Sequence, residues 1–377
     1  MANILEVILK GDAKHLNSSL GKASRNLKSF GKRVGSLGSS LQTRLTLPLV
    51  AAGGASIKMA ADFDKSMTQI KTLVGVAGNA VDQMSVGVKR LATEAGISSG
   101  EAADALFFIT SAGLRGAEAM AVLEQSTKAA AIGLGETKVI ADLATSALNA
   151  YGIENLSASQ ATDVLTGAVR EGKLSADTLA QSMGTVLPVA SQLGVKFNEV
   201  GATFAAMSRT GTDAAMAATQ IRGILFSLLK PTKQANETLE DFKLSAAGLR
   251  RQIKEEGLLS TLKTLTETFG DNEEAQGKVF ANTRALSGVL DLMGKNLGST
   301  EQIFKSMNST TGITQKAFDQ LADSAEFKLR KGLIKLKNQF TDLGGILMDS
   351  LLPVLTDALS FASKLFSAFG KLDPVIQ

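Results

Sequence analysis

The sequence predicts an all-α protein: a stack of short helices and helical hairpins with longer amphipathic helices at both ends. Three observations lead to this. Glycine followed by an apolar residue recurs at Gly96-Ile97, Gly113-Leu114, Gly133-Leu134, Gly152-Ile153 and Gly194-Val195, and Gly172 divides the widest gap. A glycine can take the left-handed conformation that closes a helix, and the apolar residue after it packs back on the last turn. Helix starts follow these stops. Ser98-x-x-Glu101 and Ser157-x-x-Gln160 have capping-box spacing, and Ser175 and Asn198 are expected N-caps. Between them lie Ala- and Leu-rich stretches, in a chain with only 5 prolines. The intervals suit helices of about four turns at 3.6 residues per turn.

The composition narrows the class. The chain has 377 residues, 44% hydrophobic but only 5% aromatic, with Tyr151 the sole tyrosine and no tryptophan. A core of Ala, Leu, Val and Met suits close helix packing better than a deep ligand pocket. With 0 Cys, disulfides and thiolate metal sites are excluded while the compartment stays open. The run Ile4 to Leu9 is short, contains Glu6 and lacks a basic leader, so it reads as one short strand rather than a secretory signal. The uncharged run Thr178 to Val195 contains Pro188, two Gln and two Ser, and reads as a buried helix pair rather than a membrane span. Net charge is +4, but residues 1–60 carry nine Lys/Arg against Glu6 and Asp12, leaving −3 for the rest. The basic character belongs to the N-terminal arm.

Four regions are expected: a basic amphipathic arm (1–60), a core of short helices (61–230), a charged helical segment (231–310), and amphipathic, partly basic C-terminal helices (311–377). In the arm, Leu16, Leu20, Ala23, Leu27, Phe30, Val34, Leu37 and Leu41 alternate by four and three, which makes a candidate self-association seam. Gly21, Gly31, Gly35 and Gly38 weaken it by up to roughly 1 kcal/mol each. Its flanks hold Asn, Ser and Gly, with Arg33 the exception, so no particular coiled-coil partner is specified. Thr46 to Ala55, with Pro48 and Gly53-Gly54, is expected to interrupt the arm as a hinge or tight crossing.

Helix is expected from Ile57 to Leu73 and from Ala77 to Ala95. The glycine ladder then runs to about Leu229, where Pro231 stops it. Gly257, Gly270, Gly277 and Gly298 are expected to punctuate the charged segment. From Phe318 an amphipathic pattern runs with few stops to Gly344-Gly345. Leu329, Leu333, Leu336, Phe340, Leu343, Leu347, Leu351, Val354 and Ala358 form a candidate membrane or partner face. Lys328, Arg330, Lys331, Lys335 and Lys337 crowd near its start. Packing on other copies or on the core is the favoured reading of this face. Asp349 and Asp357 oppose full insertion across a bilayer.

No catalytic set assembles, and neither a cofactor nor a metal site is expected. His15 is the only histidine, so neither a Ser-His-Asp nor a zinc-peptidase arrangement is available. Ser29-x-x-Lys32 has hydrolase-like spacing but none of the companion motifs. Glu255-Glu256 and Glu273-Glu274 are adjacent pairs, which point to different sides of a helix and read as solvated charge. Specific nucleic-acid binding is not expected, because base-stacking aromatics and a recognition helix are missing.

The run Phe63-Asp64-Lys65-Ser66-Met67, followed by Val74-Gly75-Val76-Ala77-Gly78, resembles the start of the core of phage tail tape-measure proteins. So do Leu91-Ala92-Thr93-Glu94-Ala95-Gly96, Glu101-Ala102-Ala103-Asp104-Ala105-Leu106, Ala112-Gly113, Ala141 to Gly152, Val186-Leu187-Pro188-Val189-Ala190 and Gly211 to Leu229. The likeness spans roughly 61–230. Looser similarity on both flanks includes Leu47-Pro48-Leu49 and Leu351-Leu352-Pro353-Val354-Leu355. It implies a structural assembly protein of long-tailed bacteriophages or prophages. Such proteins lie in the virion tail lumen, are present in the host cytoplasm during assembly, set tail length, and leave ahead of the DNA at ejection. Implied partners are other copies (a homo-oligomer) and tail tube, tail chaperone and tail tip subunits. Host membrane contact is also possible for such a chain, and the competing reading is a membrane-active helical protein that perforates the envelope. A single unbroken helix would reach at most ~570 Å, and the glycine ladder forbids that here. Family members generally continue with a long helical measuring region, so this chain is expected to be a core portion or a short or split form.

Overall fold

The computed structural model describes residues 39–342 and 345–346, with side chains from 56 onward. Among the described residues every regular element is a helix. They are α1 (Ser39–Thr72), α2 (Gly78–Ala95), α3 (Ser99–Ser111), α4 (Gly116–Ala131), α5 (Thr137–Tyr151), α6 (Ala158–Glu171), α7 (Ala176–Gly184), α8 (Leu187–Leu193) and α9 (Phe197–Arg209). They continue with α10 (Ala214–Leu229), α11 (Lys233–Asp241), α12 (Ala246–Glu256), α13 (Leu258–Phe269), α14 (Glu273–Val279), α15 (Thr283–Met293), α16 (Leu297–Met307) and α17 (Ile313–Asp323). A further helix, α18, covers 325–342. Residues Ala61–Phe340 form one compact unit, described here by itself.

The ladder works largely as its spacing predicts. Gly96 and Gly194 close α2 and α8 in the left-handed region, at φ 67° and 82°. The next residues, Ile97 and Val195, donate their N–H groups back to Ala92 and Ala190. Ser157 and Gln160 complete a reciprocal capping box at α6. The uncharged run 178–195 is the buried pair α7 and α8, with Pro188 in the first turn of α8. Leu229 ends α10 two residues before Pro231.

Several local expectations are overturned, each for a physical reason. Gly172 is extended (φ −106°, ψ −179°), so it is not a left-handed stop. A Cβ there would lie 2.9 Å from the Ala168 carbonyl and 3.0 Å from the Ala205 Cα, so its role is close approach to α9. Asn198 sits inside α9, which starts after Lys196, and its amide donates to Asn308 at 2.7 Å. Ser98 caps α3 through the Glu101 N–H, but the Glu101 carboxylate turns away to accept from the Thr137 hydroxyl at 2.7 Å, leaving half a box.

Gly277 and Gly298 lie within α14 and α16, because glycine lowers helix propensity without forbidding helix. α1 runs unbroken through Pro48 and Gly53-Gly54. One proline there forfeits a single backbone hydrogen bond, which a helix of 34 residues can absorb. The pattern after Phe318 does stop, at Ser324, whose extended backbone ends α17 and whose hydroxyl accepts from the Phe327 N–H to start α18.

The core is one continuous apolar cluster from Phe63 to Met307. Its hub is α9, in which eleven of thirteen residues are buried. Gly201, Ala202, Ala205, Ala206 and Ser208 keep α9 thin enough for α6, α10 and α16 to pack around it. A Cβ on Gly201 would come within 2.7 Å of the Val164 Cγ1 and 2.9 Å of the Met307 Cε. In thermal unfolding, Gly172→Ala is expected to lose roughly 1–3 kcal/mol through overpacking. Gly184→Ala, with open space around it, should be neutral or gain up to about 1 kcal/mol.

Candidate functional site

Short helices leave their first N–H groups without partners inside the helix. In this unit, carboxylates from distant helices supply several of them. Asp163, 2% exposed on α6, accepts from the N–H groups of Gly312 (2.7 Å) and Thr314 (2.9 Å) at the start of α17. Glu199, 8% exposed on α9, accepts from the Lys196 N–H and, at 3.0 Å, from the Leu258 N–H that opens α13. Gly257 is required beside it, since a Cβ there would fall 2.3 Å from a Glu199 oxygen. Burial pushes the Glu199 carboxyl above its usual range, and the backbone N–H donors and Lys196 partly offset that.

Asp163 borders a cleft of about 440 Å³, lined also by Tyr151, Gln160, Lys196, Asn198 and Asn308 among others. Tyr151 donates its hydroxyl to the Val195 carbonyl at 2.9 Å and packs edge-on against Phe197. Burial, and secondarily the Glu199 charge, raise the Tyr151 hydroxyl far above its normal range. The Tyr151 hydroxyl and the Asp163 carboxylate are thus both engaged with backbone groups. Glu256, of the adjacent pair with Glu255, is exposed and accepts from Gln252 and Ser260, which hold its carboxyl below the usual range. His15, Ser29, Lys32 and the expected strand at Ile4 to Leu9 lie outside the described residues. Among the described residues no group of three or more His, Cys, Asp or Glu could hold a metal ion.

The candidate partner face is placed on α18. Leu329, Leu333, Leu336 and Phe340 are 67%, 59%, 50% and 36% exposed and share one side of the helix. The opposite side is fastened down. Phe327 is 2% exposed and packs edge-on against Phe318 with Ala95 and Ala131 nearby. Asn338 accepts from the Ser99 N–H at 3.2 Å and donates to Thr93 at 3.0 Å, while Arg330 donates to the Ala131 carbonyl. Full burial of Phe327 is worth about 1.5–3 kcal/mol. The exposed leucines are therefore not a consequence of a loose helix.

Leu343, Leu347, Leu351, Val354 and Ala358 lie outside the described residues, as do Leu16, Leu20, Leu27, Phe30, Val34 and Leu37 of the N-terminal seam. Leu41 falls in α1, where only the backbone is described. Among the described residues no helix is long and apolar enough to cross a membrane.

The anchors make two expectations. Asp163→Ala should cost about 1–3 kcal/mol for each orphaned N–H, seen as a lower urea midpoint. Glu199 binds a proton more readily folded than unfolded, so its contribution to stability falls as pH rises from the ordinary carboxylate range through its raised folded pKa. Glu199→Gln should remove that part of the pH dependence, read as the difference between the two stability-against-pH curves.

A family model for phage-related minor tail proteins matches residues 85–328. The tape measure protein of Pneumococcus phage Dp-1 is 25% identical over 372 residues, covering 96% of this chain and 32% of that protein. The probable tape measure protein of Clostridium phage phiCD119 is 23% identical over 343 residues, covering 89% of this chain and 36% of that protein. The chain thus spans about a third of the length of these curated relatives. No solved structure matches it.

Proposed function

The chain belongs to the phage-related minor tail protein family, and from that premise we propose that it forms the core of a tape measure. In this reading it is a helical scaffold in the virion tail lumen around which tube subunits assemble, present in the host cytoplasm beforehand and released at genome ejection. The observation that carries it is the alignment with a tape measure protein along 96% of the chain, in addition to the family match. Its role is structural rather than enzymatic, in keeping with buried acids whose oxygens are held by helix N-termini. Tube, tip and chaperone subunits are its proposed partners. A nonsense allele of the gene in its phage should abolish tails or leave them unregulated in length by electron microscopy. Tails of normal length distribution would sink the proposal.

We also propose that the α18 stripe takes a second copy of the chain. The stripe repeats by four and three at Leu329, Leu333, Leu336 and Phe340, which is the spacing of a helix–helix seam. The helix as a whole is basic, with Lys328, Arg330, Lys331, Lys335 and Lys337 against Glu326 and Asp342, so copies brought together repel one another at low ionic strength. Self-association, measured by sedimentation, should therefore strengthen as salt rises and be lost in Leu333→Glu. Binding to anionic vesicles that weakens with salt, with no self-association, would overturn this in favour of a membrane surface.

A further inference from the structure

A second cleft, of about 700 Å³, opens where the end of α10 meets the start of α15. Its floor is a close helix crossing: a Cβ on Gly223 would lie 3.1 Å from the Ala285 Cβ and 3.3 Å from that residue's backbone. Its walls carry Arg222, Lys230 and Arg284, all exposed, and the ring of Phe226, 49% exposed. Thr219 and Thr232 add hydroxyls, and no carboxylate lines the cleft. Among the described residues, none of the three cations has a salt-bridge partner, whereas nearby Lys233 and Lys278 pair with Glu237 and Glu274. What sets the site apart is that three cations and an exposed aromatic ring converge on one concavity with no carboxylate in its lining.

We propose that this cleft binds a short acidic peptide segment of a partner protein, with carboxylates on Arg222, Lys230 and Arg284 and an apolar side chain on Phe226. Guanidinium groups recognise carboxylates in bidentate fashion, which gives direction as well as charge. A nucleic-acid strand fits less well. A polyanion needs a continuous basic track and several stacking rings, but here the basic patch is local. Beyond the paired Glu237 and Glu274, the flanking helices α11 and α14 bear Glu240, Asp241 and Glu273, which would repel a long phosphate backbone leaving the cleft.

The test is fluorescence anisotropy on the full chain at low salt, with three labelled probes: an oligo-glutamate peptide carrying leucines, its glutamine counterpart, and an oligothymidylate. The glutamate peptide should bind and the glutamine peptide should not. The double variant Arg222→Glu/Arg284→Glu should weaken binding by about tenfold or more, Phe226→Ala should weaken it further, and Lys233→Glu should leave it unchanged. The altered side chains are exposed, and circular dichroism checks that each variant remains folded. Oligothymidylate binding with the same dependence on Arg222 and Arg284 would reassign the cleft to phosphate and overturn the proposal. So would equal peptide binding by the double variant, or no peptide binding at millimolar concentration.

Discussion

The architecture depends on how unpaired helix ends are satisfied. Beyond α1, dividing the chain into helices of 7 to 18 residues multiplies the N–H and C=O groups that no helix can satisfy internally. Carbonyl ends are closed locally, by left-handed glycines such as Gly96 and Gly194. Several amide ends are closed by Ser, Thr, Asp or Asn caps, and others by acids reaching from elsewhere in the unit. Asp163 and Glu199 are the clearest of these, and they tie down the starts of α17 and α13. Removing such an acid leaves buried donors without acceptors, which costs more than the net worth of an ordinary hydrogen bond.

That division of labour explains what could be read from the sequence. Gly96-Ile97 and Ser157-x-x-Gln160 are signals confined to a few residues, so pattern alone locates them. Asn198 and Gly172 look like the same local signals but serve long-range contacts, with Asn308 and with the backbone of α9. The Asp163 and Glu199 anchors join residues 149 and 59 positions apart. Nothing in the spacing around either acid distinguishes it from a solvated charge. The small residues of α9 stand out only once packing puts that helix at the centre. The α18 stripe was legible because a face that meets no neighbour in its own unit still obeys helical periodicity. The stop at Ser324 was missed because the apolar pattern continues across it.

Together these features describe a protein that uses its charged groups for construction. In the cleft beside Tyr151, that hydroxyl and the Asp163 carboxylate are engaged with backbone partners. What remains available to other molecules is surface: an apolar stripe on a firmly seated helix, and a cationic hollow set by the Gly223–Ala285 crossing. Surfaces of this kind suit a structural member of a tail-protein family.

The clasp formed by Asn338 has a mechanical consequence. Phe63, near the beginning of the unit, lies under the Lys89 ammonium at 4.9 Å. Thr93, one turn further along, receives Asn338 from near the unit's end. Residues near both ends of this unit thus contact the same helix, α2. Drawn out as continuous helix, residues 61–340 would span about 420 Å, contour that stays stored while the clasp is shut. Tension applied between Phe63 and Asn338 would load that clasp before it reached the apolar cluster behind it.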